Sequence, residues 1–315
     1  MTKILVTGAT GRIGSNLIKE LLRRSYEVKS FVASNDPYLY KLKDMETEIA
    51  YGDIRNYTNL LDAMDSVDIV VHLAALFAQF RAGVSKQELI NVNTVGTLNA
   101  LEASVNRSVE KFIFSSTDAT YPISKPVYWP VDENHPQNPN NIYGLTKVLS
   151  EKTCFEYSTE YGLPTTVLRY GSVLAPPEII NSLGGKEKFG KEKFTLHVDK
   201  NGKPFKTHLS DVRDVVEGTI LAIEKKASEN EVFNMLGCAV FTSDQIVKYA
   251  AEITGQEYVT VKDQNAVATS SFEADISKAK SILGYRPKYD VFRMIDDSVK
   301  YLKGEDVGVI PTGYT

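Results

Sequence analysis

The chain has 315 residues, of which 43% are hydrophobic and 24% charged, and its 36 Lys+Arg against 40 Asp+Glu leave a net charge of -4. That length fits one large domain or two ordinary ones with an ample core, and the balance excludes a disordered chain and lacks the basic excess of a nucleic-acid binder. Cys154 and Cys238 with four scattered histidines exclude a disulfide framework and show no zinc-site spacing, the N-terminal apolar run is too short for a signal peptide, and no stretch reaches membrane-helix length, so a cytoplasmic protein without metal is expected.

Lys3–Thr7 is a short apolar run stopped by glycine, which predicts a buried parallel strand. Ile13, Leu17 and Leu21 then recur at helical spacing, predicting a helix over 13–24. Glu27–Val32 and Glu48–Tyr51 read as the next strands, with a helix around Leu60, Leu61 and Met64 before a fourth strand at 68–73. A long helix over 88–104, a strand at 111–115, a helix over Ile142–Tyr161 and a strand at Thr165–Tyr170 follow. This alternation implies right-handed crossovers and a parallel sheet covered on both faces. Beyond Tyr170 the pattern loosens around Pro176, Pro177 and Gly184-Gly185. Helices are expected over 211–225, with Val215, Thr219 and Ile223 inward, and over Ser243–Thr254, 276–283 and 291–303, with a strand at 232–235 and a surface arm after Gly304. The expected class is α/β: a Rossmann-type doubly wound sheet over 1–170, then a smaller α/β substrate region over 171–315, some segments of which return to the first domain.

Gly8, Gly11 and Gly14 lie in TGATGRIG, between the first strand and the first helix. A dinucleotide turn needs glycine where backbone approaches the pyrophosphate, and the helix N-terminus offers free N–H groups and the positive end of its dipole. An ordinary tight turn is the plain alternative, and the placement favours the dinucleotide.

Tyr143 and Lys147 form Y-x-x-x-K, which puts both on one face of the predicted helix. Chemistry at an alcohol or ketone needs a proton donor and acceptor at the oxygen. A free tyrosine titrates near pH ~10, so bringing it to 7 takes roughly 4 kcal/mol of phenolate stabilisation. A neighbouring ammonium in a partly dry site can supply that. The plain alternative is an amphipathic helix with a solvated lysine.

The G-x-x-G-x-x-G spacing resembles the extended short-chain dehydrogenase/reductase family, which includes sugar-nucleotide epimerases and dehydratases. Other segments resemble that family in the same order: Gly52-Asp53-Ile54, Leu73-Ala74-Ala75, Asn93 with Gly96-Thr97, Asp275-Ile276-Ser277-Lys278-Ala279 and Leu283-Gly284-Tyr285-Arg286-Pro287. The resemblance spans nearly the whole chain. It implies that Gly8, Gly11, Arg12, Ile13, Gly14, Asp53, Ile54, Leu73, Ala74, Ala75, Asn93, Ser115 and Tyr170 hold the cofactor together with Tyr143 and Lys147. It also makes Thr117 the hydroxyl that binds the reacting oxygen beside Tyr143 and Lys147, and pairs the 88–104 and 142–161 helices in a homodimer bundle. No acid stands at the end of the second strand, near Val32, and Asp36 is too late by register. Ser34, Asn35 and Arg12 could meet a phosphate, so the reading leans slightly to NADP with NAD open. Dehydratases of the family carry an Asp-Glu pair after the catalytic Thr; here Asp118 is followed by Ala119, leaving Asp118 to bind substrate, to donate a proton or to cap its loop. Ser172 stands where many sugar-nucleotide enzymes have an Asn, and no arginine precedes His208, which weakens the case for a nucleoside diphosphate.

The expected activity is therefore NAD(P)-dependent C4 epimerisation, or a related oxidation, at a secondary alcohol of a sugar or sugar nucleotide. An NADP-dependent dehydrogenase or ketone reductase is the alternative in the same class, and a non-catalytic cofactor-sensing regulator the alternative outside it. His72 and Cys154 read as core, and Tyr128 and Trp129 as either stacking or surface residues. The lysines at 186, 188, 191, 193, 200, 203 and 206 resemble the family's nucleotide-capping segment.

Overall fold

The computed structural model describes residues 1–77, 83–123, 125–184, 193–264 and 272–312. Seven parallel strands form the central sheet in the order β11-β6-β5-β4-β1-β2-β3: β1 (Lys3–Thr7), β2 (Glu27–Val32), β3 (Glu48–Tyr51), β4 (Ile69–His72), β5 (Lys111–Thr117), β6 (Thr165–Tyr170) and β11 (Glu231–Met235). The expected strand at 232–235 is the last of these, so the chain returns to the first domain's sheet after leaving it at Tyr170.

Period-two alternation explains the layers. Ile4 and Val6 of β1 enter one core with Leu17, Ile18 and Leu21 of α1 (Arg12–Arg23) and Val212, Val215, Val216 and Ile220 of α7 (Val212–Glu224). Leu5 points the other way, into a core with Leu60 of α2 (Tyr57–Ala63), Leu101 of α4 (Gly96–Asn106) and Cys154 of α5 (Ile142–Tyr161). A third core gathers Ile179 and Ile180 of α6 (Pro176–Ser182), Phe194 and Leu196 of β8 (Phe194–Val198), Ile246 of α8 (Ser243–Thr254) and Met294 and Ile295 of α9 (Val291–Leu302). Short pairs complete this smaller region: β7 (Ser172–Leu174) with β10 (Leu209–Asp211), β9 (Lys206–Thr207) with β12 (Phe241–Thr242), and β13 (Tyr258–Lys262) with β8.

Three expectations are corrected. The long helix over 88–104 is interrupted: α3 (Lys86–Ile90) passes through a π-turn at Asn91–Val95 into α4. The turn draws the Asn93 side chain into the core, where it is bonded at both ends. The 276–283 helix is likewise replaced over Ala279–Leu283 by a π-turn. The arm after Gly304 is not free, because the Asn16 side chain donates to Ile310 C=O and accepts from Ile310 N–H at 2.9 and 2.8 Å, and Thr312 is buried. Among the described residues, no helix is long and apolar enough to cross a membrane.

Candidate active site

β1 is flanked by β2 on one side and β4 on the other, and the chain reverses its direction across the sheet between them. Ligands bind outside the carboxyl ends of the strands at such a point. A cleft of about 790 Å³ opens there. One side is the glycine turn, with Gly8, Gly11, Arg12, Ile13 and Gly14, and Leu73 and Ala75 after β4; the floor is Ser115 to Ala119 with Tyr143 and Lys147; the far wall is Gly171 to Leu174 and Lys206 to Leu209.

Gly8 has φ +68, and a Cβ there would lie 2.8 Å from the Ala74 amide nitrogen, so only glycine lets the turn lie against the loop after β4. No side chain caps the N-terminus of α1, leaving its first N–H groups directed at the cleft side as an anion site. Arg12, the first residue of that helix, is engaged by protein: it pairs with Glu178 at 2.6 Å and donates to Val173 C=O at 2.8 Å and Thr312 Oγ at 3.0 Å.

The residues expected to be catalytic meet through a close approach. Asn141 caps α5 by accepting from Gly144 N–H, and a Cβ on Gly144 would lie 2.2 Å from Ala119 C=O. That contact seats the first turn of α5 against the segment after β5. Tyr143 is hydrogen-bonded to Thr117 and faces Asp118. Burial pushes the Tyr143 hydroxyl well above its ordinary pKa, the Asp118 charge adds to this, and the Thr117 bond opposes it. Thr117 Oγ also accepts from Ala119 N–H and donates to an Asp118 carboxylate oxygen, both at 3.2 Å. Lys147 is 2% exposed with Nζ 4.3 Å from the Phe114 ring centroid, and burial brings its pKa down to about 8 against the opposing pull of Cys154 and Glu151. Burial raises Asp118 to about 6, with the Thr117 hydrogen bond working the other way.

Beneath this floor lies a polar network that the motifs did not single out. Glu151, two turns beyond Tyr143, takes both Nε and Nη2 of Arg169 on β6, accepts from Gln137 at 2.6 Å, and accepts a short bond from Ser116. Arg169 also lies 4.9 Å over the Tyr121 ring. The signal was available: Tyr143, Lys147 and Glu151 continue one i,i+4 stripe.

Other expected cofactor residues fall away from the cleft lining. Asn93 accepts from Leu76 N–H at 2.7 Å and donates to Leu76 C=O and Thr146 Oγ at 2.9 and 3.2 Å, holding the loop after β4 against α5. Ala74 N–H donates to Thr7 Oγ. Tyr170, by contrast, lines the cleft, with its hydroxyl turned inward to Thr219 at 2.8 Å. Ile54 is core, and Asp53, two residues beyond β3, pairs with Arg55. Ser34 and Asn35 are exposed beyond β2. The chain turns back there, Asp36 N–H donating to Ala33 C=O at 3.1 Å, and this carries the Asp36 carboxylate to the glycine turn, where Thr10 Oγ donates to it at 2.6 Å. Counting along the strand had placed Asp36 out of reach.

On the far wall, Ser172 is exposed and lines the cleft. Lys206 does so too, Lys193 pairs with Glu257, and the lysines at 186, 188 and 191 lie outside the described residues. Trp129 sits edge-on to Phe272, which lines the cleft, and Tyr128 donates to Asp132 at 2.6 Å. His72 bridges Thr7 and Thr97 in the core, where burial lowers its pKa to about 3. Cys154 is fully buried.

The turn and the uncapped helix fit a dinucleotide, and the Thr–Tyr–Lys floor fits acid–base work on a bound alcohol. A sequence model of the NAD dependent epimerase/dehydratase family matches residues 4–235. A UDP-glucose 4-epimerase of Lactobacillus helveticus is 28% identical over 310 residues, covering 91% of this chain and 93% of that one. Among solved structures, a short-chain dehydrogenase/reductase superfamily protein of Agrobacterium tumefaciens with bound NAD has a TM-score of 0.84 at 25% identity, covering 96% and 97% of the two chains. The UDP-glucose 4-epimerase of Thermotoga maritima with UDP-glucose has 0.82 at 26%, covering 96% and 99%. The glycine turn, the doubly wound sheet and the match over most of its length make this chain a member of the NAD dependent epimerase/dehydratase family.

Proposed function

We propose that the chain is an NAD-dependent oxidoreductase of the C4-epimerase kind, acting on a secondary alcohol of a sugar, most simply a sugar nucleotide. The observation that carries this reading is the Thr117–Tyr143–Lys147 floor at the switch point of the sheet. The relatives named above as UDP-glucose 4-epimerases support the substrate class.

A nicotinamide dinucleotide, its pyrophosphate held by the Gly8–Gly14 turn, would supply the two-electron acceptor and donor. Tyr143 takes the proton of the substrate hydroxyl, and Thr117 holds that oxygen by a hydrogen bond. Lys147, as an ammonium, lowers the cost of the phenolate, which the buried hydroxyl does not form easily on its own. Asp118 touches the same oxygen cluster and orients the substrate through Thr117.

For the adenosine ribose we favour NAD over NADP. The Asp36 carboxylate beside Thr10 repels a 2′-phosphate and can accept from a 2′-hydroxyl, and Arg12 is engaged with Glu178. The homodimer remains the assembly we propose, because Val95 and Leu98 at α4 and Leu145 and Leu149 on α5 are large apolar side chains left exposed. Sedimentation at micromolar concentration tests it, and a monomer breaks it.

Activity is tested with UDP-, GDP- and dTDP-sugars and free sugars, scored by product analysis and by cofactor absorbance. An inverted hydroxyl without net cofactor reduction is expected. Net reduction with released ketone points to a dehydrogenase, and cofactor binding without turnover of any sugar points to a regulator. Because Ala119 cannot act as a base, loss of water from the sugar at about 1 s⁻¹ or faster is not expected.

A further inference from the structure

The segment 307–312 returns from α9 to the glycine turn, and its contacts there are specific. Asn16 on α1 clamps Ile310 at both N–H and C=O, and Lys19 Nζ donates to Gly308 C=O at 3.2 Å. Thr312, 1% exposed, then uses three of its polar groups. Its N–H donates to Glu178 at 3.1 Å, its hydroxyl accepts from Arg12 Nε at 3.0 Å, and its C=O accepts a short bond from Lys41 Nζ. The same Lys41 ammonium donates to Thr10 C=O, inside the turn, at 3.0 Å. Lys41 is 8% exposed, and a cation so buried is costly unless carbonyls or charges meet it.

Two grips therefore hold the turn from behind. Lys41 ties the backbone at Thr10 to Thr312, and Arg12 ties the start of α1 to Thr312, Glu178 of α6 and Val173 of β7. The packing of α1 does not require them, since Leu17, Ile18 and Leu21 already seat that helix in the core. They act on the one stretch whose N–H groups must be aimed in advance at an anion, and fixing such groups before binding raises affinity.

We propose that the 307–312 segment is a positioning strap for the cofactor, which through Thr312 orients Arg12 and Lys41 and so presets the Gly8–Gly14 turn. The proposal rests on reading that turn as the dinucleotide site.

NAD is titrated by calorimetry into the full-length wild type, Thr312→Val and Thr312→Ser. Loss of the hydroxyl, a partner of a charged donor, is expected to raise Kd about tenfold in Thr312→Val, and Thr312→Ser, which keeps the hydroxyl, is expected to bind as the wild type does. A wild type that binds NAD and a folded Thr312→Val that binds it equally well overturn the strap alone. A wild type that binds neither NAD nor NADP overturns the reading of the turn, and the strap with it. Coupling is reciprocal, so saturating NAD must also slow hydrogen exchange at the Ile310 and Thr312 amides of the wild type. Unchanged exchange there overturns the strap even if Thr312→Val does not fold.

Discussion

On one wall of the cleft, Thr117, Tyr143 and Lys147 stand on a strand of 7 residues and a helix of 20, both rooted in the core. On the other, Ser172, Lys206, Thr207 and Leu209 stand on strands of 3, 2 and 3 residues. The first wall is set by local chain geometry and by the Glu151–Arg169 pair beneath it; the second is assembled from pieces distant in sequence, through β7 with β10, β9 with β12 and Arg12 with Val173. A long element fixes side-chain directions before tertiary contacts form, and a two-residue strand fixes almost nothing alone. The wall proposed to be catalytic should therefore be sensitive to single atoms, and the far wall tolerant.

The largest expected effect is on the first wall. Tyr143→Phe removes one oxygen from a site whose packing is otherwise kept, including the Phe77 ring 4.6 Å from that of Tyr143. Turnover should fall by about 10²–10⁴, while NAD affinity, measured by calorimetry, stays close to wild type. A mutant with near-wild-type turnover would move the acid–base role elsewhere.

Next in size is the support of that wall. Glu151→Ala leaves the Arg169 guanidinium, whose side chain is 5% exposed, without its carboxylate. Stranding a buried charge costs about 3–5 kcal/mol, which urea unfolding will read. Ser172→Ala, exposed on the opposite wall, is expected to change stability by no more than about 0.5 kcal/mol. Equal losses at the two positions would end the contrast between the walls.

The same contrast decides how much the sequence revealed. The seven-stranded sheet was legible up to β6, because apolar runs and helical spacing alternate there, and the helices Ile142–Tyr161 and Ser243–Thr254 fall at their expected bounds. Tyr143 and Lys147 were legible because i,i+4 spacing is a local fact. Asp36 was not, because a turn at 33–36 breaks the register by which a strand end is counted. Thr312 was not, because its partners are 134 to 300 positions away and nothing local marks it. The π-turn at Asn91–Val95 escaped too, since a continuous apolar pattern does not register one extra residue in a helical turn.

A smaller effect concerns the cofactor. If Asp36 sets the preference at the glycine turn, NAD binds more tightly than NADP, and Asp36→Ala narrows the ratio by roughly tenfold, the worth of one charge-assisted contact. Calorimetry with both cofactors on both proteins measures this. A wild type that prefers NADP would return the 2′ position to Ser34, Asn35 and Arg12.

The smallest effect is one of pH, and it tests how dry the catalytic wall is. Asp118 is raised from 3.8 to about 6, mainly by burial. The folded state thus prefers the neutral acid. The stability this contributes is full below about pH 4 and is lost as pH rises through 6, where the carboxylate must ionise in a site that disfavours it. Asp118→Asn keeps a neutral side chain of the same shape at every pH. The variant should match the wild type near pH 4, gain on it between 4 and 6, and hold a constant lead above 6. Partial exposure of Asp118 to the cleft reduces that lead to about 1–2 kcal/mol. Denaturant unfolding of both proteins from pH 4 to 8 gives the difference directly, and titrations common to the two cancel in it. A flat difference would mean that water reaches Asp118 freely, and the dryness that brings Lys147 down to about 8 would then need another source than the closure of α5 on the Ala119 carbonyl.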